Sequence, residues 1–289
     1  MLGTGLHTLH TLRRILGAGK RRRGQLVSIS FVLMLIVTFL ATLLGPICGI
    51  GGGVIIKPVV DALGIMPVAE VSFLSGIAVL VMAVVTLVQD ALAGERGGGE
   101  HLPIALGAAA GGVAGKFVFA QLMQVFPHAD RIGGVQALLL TGCALVVLVY
   151  MARRGRIGSL ELSGPAPQLI VGLLAGSCWS FLGIGGGPFN VALLVFFFAM
   201  ESKPAARASL LIIACSQTAS IIFAFVAGAV PATSPEDLIG MASMAVAGSF
   251  VGRRLQRRFD SRAVDRLYIA SLALIIMLCL YNAVRFLQM

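Results

Sequence analysis

The sequence predicts an all-α integral membrane protein with about eight long transmembrane helices in two repeats, each carrying a glycine-broken or re-entrant segment. Three observations lead there: a charge-poor composition, apolar runs of bilayer-crossing length, and a glycine pattern that recurs in the second half of the chain. Of 289 residues, 58% are hydrophobic and only 12% are charged, about half the charged share of an ordinary soluble domain. So few charges do not cover a soluble fold of this size. They also sit in short runs between apolar stretches, so lipid is the natural solvent for most of the chain.

The net charge of +10 belongs to those short runs, where Lys and Arg set membrane orientation. Aromatic residues interleaved with basic ones, as single-strand binders use, are missing, which excludes nucleic acid as a partner. Five scattered cysteines (Cys48, Cys143, Cys178, Cys215 and Cys279) form no CxxC and no Cys/His spacing for zinc, so they read as small buried hydrophobes.

Residues 1–25 are a basic tail with Arg13, Arg14, Lys20, Arg21, Arg22 and Arg23 and no acid. No small-residue cleavage site interrupts the apolar run that follows, so the tail reads as cytoplasmic rather than as a cleaved signal; its Arg-rich character also fits an organelle transit peptide. A helix crossing the bilayer core needs about 20 apolar residues. Such runs lie at 26–48, 68–93, 102–125, 131–151, 167–183, 204–230, 236–253 and 264–287, with shorter apolar pieces at 54–64 and 188–200. A polar linker, 153–166, separates a first repeat (26–152) from a second (167–289).

The halves share landmarks in the same order. Gly49-Ile50-Gly51-Gly52-Gly53 recurs as Gly183-Ile184-Gly185-Gly186-Gly187, an offset of 134. Pro67 matches Pro204, Ser72 matches Ser209, and Gly111, Gly115 and Lys116 match Gly248, Gly252 and Arg253, all at 137. Asp130-Arg131 matches Asp265-Arg266 at 135. This is the signature of a duplicated transporter. Basic loops count as cytoplasmic, which places the N-terminal tail and the Arg153–Arg156 loop on one side. The Arg253–Arg262 run joins them, and the loop with Glu236 and Asp237 lies opposite. That counting needs residues 167–200 to enter and return without crossing. It also gives the first half an even number of crossings, which conflicts with equivalent halves and leaves parallel and inverted repeats both open.

Three consecutive glycines are poor helix, about 1 kcal/mol each against Ala, and in lipid the freed backbone groups are tolerated only where they line a protected cavity. Matched helix breaks in both halves therefore mark a transport site. Glycine admits a ligand to the backbone, and a helix starting at Val54 or Phe189 aims N–H groups and a positive dipole end there, which suits an anion. Close helix packing is the alternative use of such glycines. Lys57 is an ammonium inside an apolar stretch, either attracting the anion or paired with Asp61 one turn on. Asn190 offers amide donors, and Ser72, Ser209 and Gln217 offer weak donors suited to releasing an oxyanion. Glu70 and Arg207 occupy matching positions as a cross-repeat pair or as solvated helix ends, and Asp90 is a candidate proton carrier. His7, His10, His101 and His128 assemble no catalytic set, and there is no P-loop.

The stretch Gly49-Ile50-Gly51-Gly52-Gly53-Val54-Ile55-Ile56-Lys57-Pro58 resembles the first-repeat signature of the TauE/SafE-type sulfite exporter family. Gly183 to Pro188 and Ser209 to Gln217, ending Cys215-Ser216-Gln217, resemble the second. The resemblance runs from Leu26 to Leu287. It implies export, in some members import, of sulfite or an organosulfonate across the bacterial inner membrane, with no cofactor. The second copy departs in having Val191 where the first has Lys57, and in its proline following the glycines directly, so the two half-sites contribute different groups. The resulting expectation is a multi-pass inner-membrane secondary transporter binding a small anion at Gly49, Gly51, Gly52, Gly53, Lys57, Gly183, Gly185, Gly186, Gly187, Asn190, Ser72, Ser209 and Gln217. A passive anion channel or an uptake carrier is the other reading. The many small-residue helix faces are compatible with a homodimer without requiring one.

Overall fold

The computed structural model describes residues 29–94, 101–125, 129–154 and 156–288. The basic tail with His7 and His10, as well as His128 and the side chains of Asp130 and Arg131, lie outside the described residues. Among those described there are ten helices and no strand: α1 (Ile29–Cys48), α2 (Gly53–Leu63), α3 (Val68–Leu92), α4 (Leu102–Val125), α5 (Ala129–Ala152), α6 (Pro165–Leu182), α7 (Gly187–Phe198), α8 (Ser202–Val226), α9 (Pro235–Gln256) and α10 (Ser261–Gln288). Each apolar run read from the sequence contains one of these helices. Seven of them (α1, α3, α4, α5, α6, α8 and α10) are long and apolar enough to cross a membrane. The expected eighth, α9, has the length at 22 residues but not the apolarity, because Glu236 and Asp237 open it and Arg253 and Arg254 close it.

Local chemistry sets the ends. Ser234 caps α9, its Oγ accepting from the Asp237 N–H at 3.0 Å, with Pro235 preset at the first helical position. Gly64 ends α2 in the left-handed conformation, its N–H bonding back to the carbonyls of Val60 and Asp61. Inside the apolar helices Thr38, Thr42, Thr86, Thr141 and Ser271 each donate to the carbonyl four residues earlier, which satisfies a hydroxyl where water is absent.

Glycine spacing brings backbones together. A Cβ on Gly107, Gly111 or Gly115 would lie 2.1–2.2 Å from the carbonyls of Leu169, Leu173 and Ser177, so α4 lies directly on α6, running the same way. The matched Gly248 and Gly252 do the same for α9 on α1, against the carbonyls of Phe39 and Leu43. Every principal contact has such a counterpart when the halves are exchanged. The α4–α8 contact answers to α9–α3, α2–α10 to α7–α5, and α2–α3 to α7–α8, while α3–α8, α5–α10 and α2–α7 answer to themselves.

The contacts also fix which helix ends lie together. Arg154 at the end of α5 donates to Ser202 Oγ at 2.9 Å and to the Met200 carbonyl at 3.2 Å. The Leu160 and Leu162 N–H groups donate to the Phe196 and Phe197 carbonyls. Thus α5 ends, α6 begins, α7 ends and α8 begins at one end of the bundle, here the arginine end. The α6–α7 pair enters from that end and returns to it, the behaviour the charge pattern required of residues 167–200. At the opposite end Arg285 of α10 donates to the Asp61 carbonyl, and Gly133 of α5 meets Phe286 and Val68. Helix α1 runs alongside α9, with Phe31 and Leu35 against Gly240 and Leu43 against Gly252, so Ile29 lies at the opposite end and α1–α2 is likewise an in-and-return pair.

The expectation that the N-terminal tail and the Arg153–Arg156 loop share a side falls on a tail outside the described residues; α1 itself starts at the end away from that loop. Loop charge alone does not register a helix pair that turns back halfway. A cysteine-accessibility experiment checks the assignment. In a background lacking the native cysteines, Gly158→Cys and Ala232→Cys, both at exposed loop positions, are expected to react with an impermeant maleimide from opposite sides. Labelling of both from one side overturns it.

Candidate functional site

The two glycine runs meet. A Cβ on Gly187 would sit 1.6 Å from the Gly51 amide nitrogen, and one on Gly53 2.7 Å from the Ile184 carbonyl oxygen. The crossing is buried on all sides, from Ile47 to Pro58 and from Leu182 to Ala192. Glycine is required here for two separate reasons. Gly49 and Gly183, matched in sequence, share φ of 68° and 69°, a left-handed turn that costs an L-residue roughly 1–2 kcal/mol. Gly187 instead needs the missing side chain, because backbone lies where a methyl would go.

The helices after each broken segment hold the runs in an exchanged fashion. Ser209 Oγ of α8 lies 3.1 Å from both the Gly49 and the Gly187 carbonyls, tying the first run to the second. Its sequence mate Ser72 on α3 lies against Gly183, where a Cβ would be 2.8 Å from Ser72 Oγ, and Ser75 Oγ donates to the Gly183 carbonyl at 3.3 Å. Gln217 fills the gap between Gly76 of α3 and Gly185, its Oε1 2.9 Å and its Nε2 3.5 Å from the Cβ positions of those glycines. Neither helix start at the crossing has a side-chain cap.

Helix α2 begins at Gly53 rather than at Val54, and the Val54 N–H is spent on the Gly51 carbonyl at 3.1 Å. Helix α7 begins at Gly187 rather than at Phe189. Both shifts move the available donors back onto the glycines themselves. Several buried polar atoms around the crossing have no hydrogen-bond partner among the described residues: Ser72 Oγ, Trp179 Nε1, and both Nδ2 and Oδ1 of Asn190. Asn190 is 1% exposed in the first turn of α7. A buried polar atom left unpaired costs about 1–3 kcal/mol, so a cluster of them beside bare backbone is chemistry suited to a polar occupant.

Of the residues singled out from the sequence, the glycines, Ser72, Ser209, Asn190 and Gln217 come together. Lys57 does not offer a bare ammonium to the crossing. Its Nζ lies 3.1 Å from Asp61 Oδ2, and both side chains are buried. Asp90 forms a buried ion pair with Arg253 of α9, and Arg253 also donates to Gln256. Glu70 and Arg207 sit at opposite ends of the bundle, since α3 and α8 are antiparallel with Phe73 packed on Phe225, so they form no pair with each other.

Two supports escaped the sequence reading. Tyr268 of α10 donates to the Pro188 carbonyl, and Asn282 donates to the Pro58 carbonyl at 2.7 Å. Both are polar groups within an apolar run of α10, a pattern that marks an interior-facing side chain. Trp179 stacks on Phe189 with ring centroids 4.6 Å apart, and a Cβ on Gly186 would lie 2.1 Å from the indole. Beside this pair opens an apolar cleft of about 530 Å³, lined also by Leu139, Cys143, Val146 and Leu193. At the arginine end a second cavity of about 890 Å³ lies between Gln89 and Leu92 of α3 and Arg253, Arg254, Arg257 and Arg258, a positively charged vestibule.

No curated protein and no solved structure gives a significant match to this chain. The family model described as "Sulfite exporter TauE/SafE" matches residues 23–279, nearly the whole length. With both glycine runs and the helices α3 and α8 that follow them inside that match, the chain belongs to the TauE/SafE sulfite exporter family, membrane transporters of sulfur anions rather than enzymes.

Proposed function

We propose that this protein is a secondary carrier that exports a small sulfur-containing anion, sulfite or an organosulfonate, across the inner membrane, with the glycine crossing as its substrate site. The reading rests on one observation above the others: two interrupted helix pairs from the two halves meet backbone to backbone at Gly51 and Gly187, with the unpaired Asn190 and Ser72 beside them. Bare amide hydrogens and neutral donors hold an oxyanion without the tight grip of a fixed positive charge, which suits a site that must release what it binds. The Lys57 ammonium stays committed to Asp61, and Gln217 and Ser209 set the spacing of the runs.

The exchange-symmetric contacts support two inverted copies, α1–α5 and α6–α10, each an in-and-return pair followed by three helices that run between the two ends of the bundle. In such a pair of copies each half can adopt the other's shape, which moves the opening from one side to the other about a fixed site. The seal at the crossing supports a carrier over an open pore. Moving one negative charge outward from a negative interior gains about 2.3 kcal/mol per 100 mV, enough to drive export.

Liposome flux tests this directly. Purified protein in vesicles is expected to move radiolabelled sulfite or a small sulfonate with saturable kinetics, and an interior-negative potential should accelerate efflux. Non-saturating current would indicate a channel instead, and potential-insensitive accumulation an uptake carrier. No movement of any sulfur anion would overturn the proposal.

A further inference from the structure

The exchange of halves pairs Lys116 of α4 with Arg253 of α9, each following a matched glycine pair. The two cations have different surroundings. Arg253 is bonded to Asp90, whereas the residue matching Asp90 in the second half is Ala227, and Lys116 has no carboxylate partner among the described residues. Its ammonium lies over the Phe119 ring, 5.3 Å from Nζ to the centroid. Lys116 stands nine residues before the end of α4, about 14 Å along the axis, beyond what a lysine stem reaches by snorkelling to the helix end. A ring face attracts an ammonium less strongly than the ammonium is penalised for leaving water, so the charge needs an anionic partner.

The space for one is present. Lys116 lines a cavity of about 220 Å³ near the end of the bundle away from the arginines, walled by Phe73, Phe119 and Phe223, with Gln124 contributing an amide. None of the crossing residues lines it. One cation and one amide set in an aromatic wall match an anion with a single charged head and a compact apolar body. Bare sulfite would leave the rings unused, and a phospholipid is far larger than the cavity.

We propose that the Lys116 cavity is a second anion site, separate from the glycine crossing, which binds small organosulfonates by head group on Lys116 and apolar body on the phenylalanines. It rests on the export reading only in its choice of sulfonate, and equilibrium binding tests it without any flux. In detergent, the protein is expected to bind benzenesulfonate more tightly than methanesulfonate. Lys116→Gln should weaken benzenesulfonate by about tenfold or more, as loss of a charge-assisted contact does, while Lys116→Arg keeps it. Phe223→Ala should weaken benzenesulfonate and leave methanesulfonate unchanged, a readout that misfolding would not give. Absence of benzenesulfonate binding by the unaltered protein, or equal binding by a folded Lys116→Gln variant, overturns the site. Displacement of benzenesulfonate by phosphatidylglycerol in nanodiscs overturns the organosulfonate assignment in favour of a lipid head group. Failure of sulfite flux with Lys116-dependent binding intact would sink the export reading alone.

Discussion

Gly187→Ala is expected to abolish sulfite flux while the protein remains folded in the membrane. The added methyl would lie 1.6 Å from the Gly51 nitrogen, so the two runs must part by about 2 Å to restore ordinary carbon contact distances. A misplacement of that size at a reacting or binding centre lowers rates by about a hundredfold. The fold loses less, about 1–3 kcal/mol for an overpacked interior, so a thermal melt in detergent should still show a cooperative transition. Gly52→Leu and Gly186→Leu should behave alike, since a side chain at these positions runs into the α1 backbone at Ala41 and into the Trp179 indole. Gly142→Ala is the control: nothing lies within 4 Å of its Cβ position, and alanine favours the helix by about 1 kcal/mol. Near-normal flux through Gly187→Ala would remove the crossing as the substrate site.

Asp61→Ala is expected to cost about 3–5 kcal/mol of stability, because it strands the Lys57 ammonium in a buried site. The pair is 4% and 7% exposed at its side chains, which rules out strong solvent screening. Replacing both partners with apolar residues, Lys57→Met with Asp61→Leu, should recover most of that loss, since the desolvation penalty of both charges is removed together. Flux then separates two roles for the lysine. A stable double variant that still transports assigns Lys57 to holding α2 together, the outcome the 3.1 Å pairing favours. A stable double variant without flux would return Lys57 to the substrate path.

The helices were legible in the sequence because lipid leaves the backbone one local solution. An apolar run of bilayer length must satisfy its own hydrogen bonds, so residues 68–93 or 204–230 announce α3 and α8 without reference to any neighbour. The glycine runs were legible for the same reason, as places where that solution fails. The family followed from those runs and their order along the chain. What the runs do for each other was not legible. Periodicity and offset do not say that Gly51 touches Gly187, that Ser209 bridges the two runs, or that Tyr268 and Asn282 reach back to Pro188 and Pro58, since such contacts join residues 22 to 224 positions apart.

By itself the sequence determined a helical membrane transporter with two matched glycine breaks, because composition and hydrogen-bond satisfaction in lipid are properties of short segments. Only the tertiary structure decided that the first break also turns its helix pair back to the end it came from, that Lys57 is paired with Asp61, and that Lys116 has no such acid among the described residues. Those outcomes depend on which backbones approach closely enough to pack. Packing is fixed by distances across the bundle, and a loop's charge does not encode them.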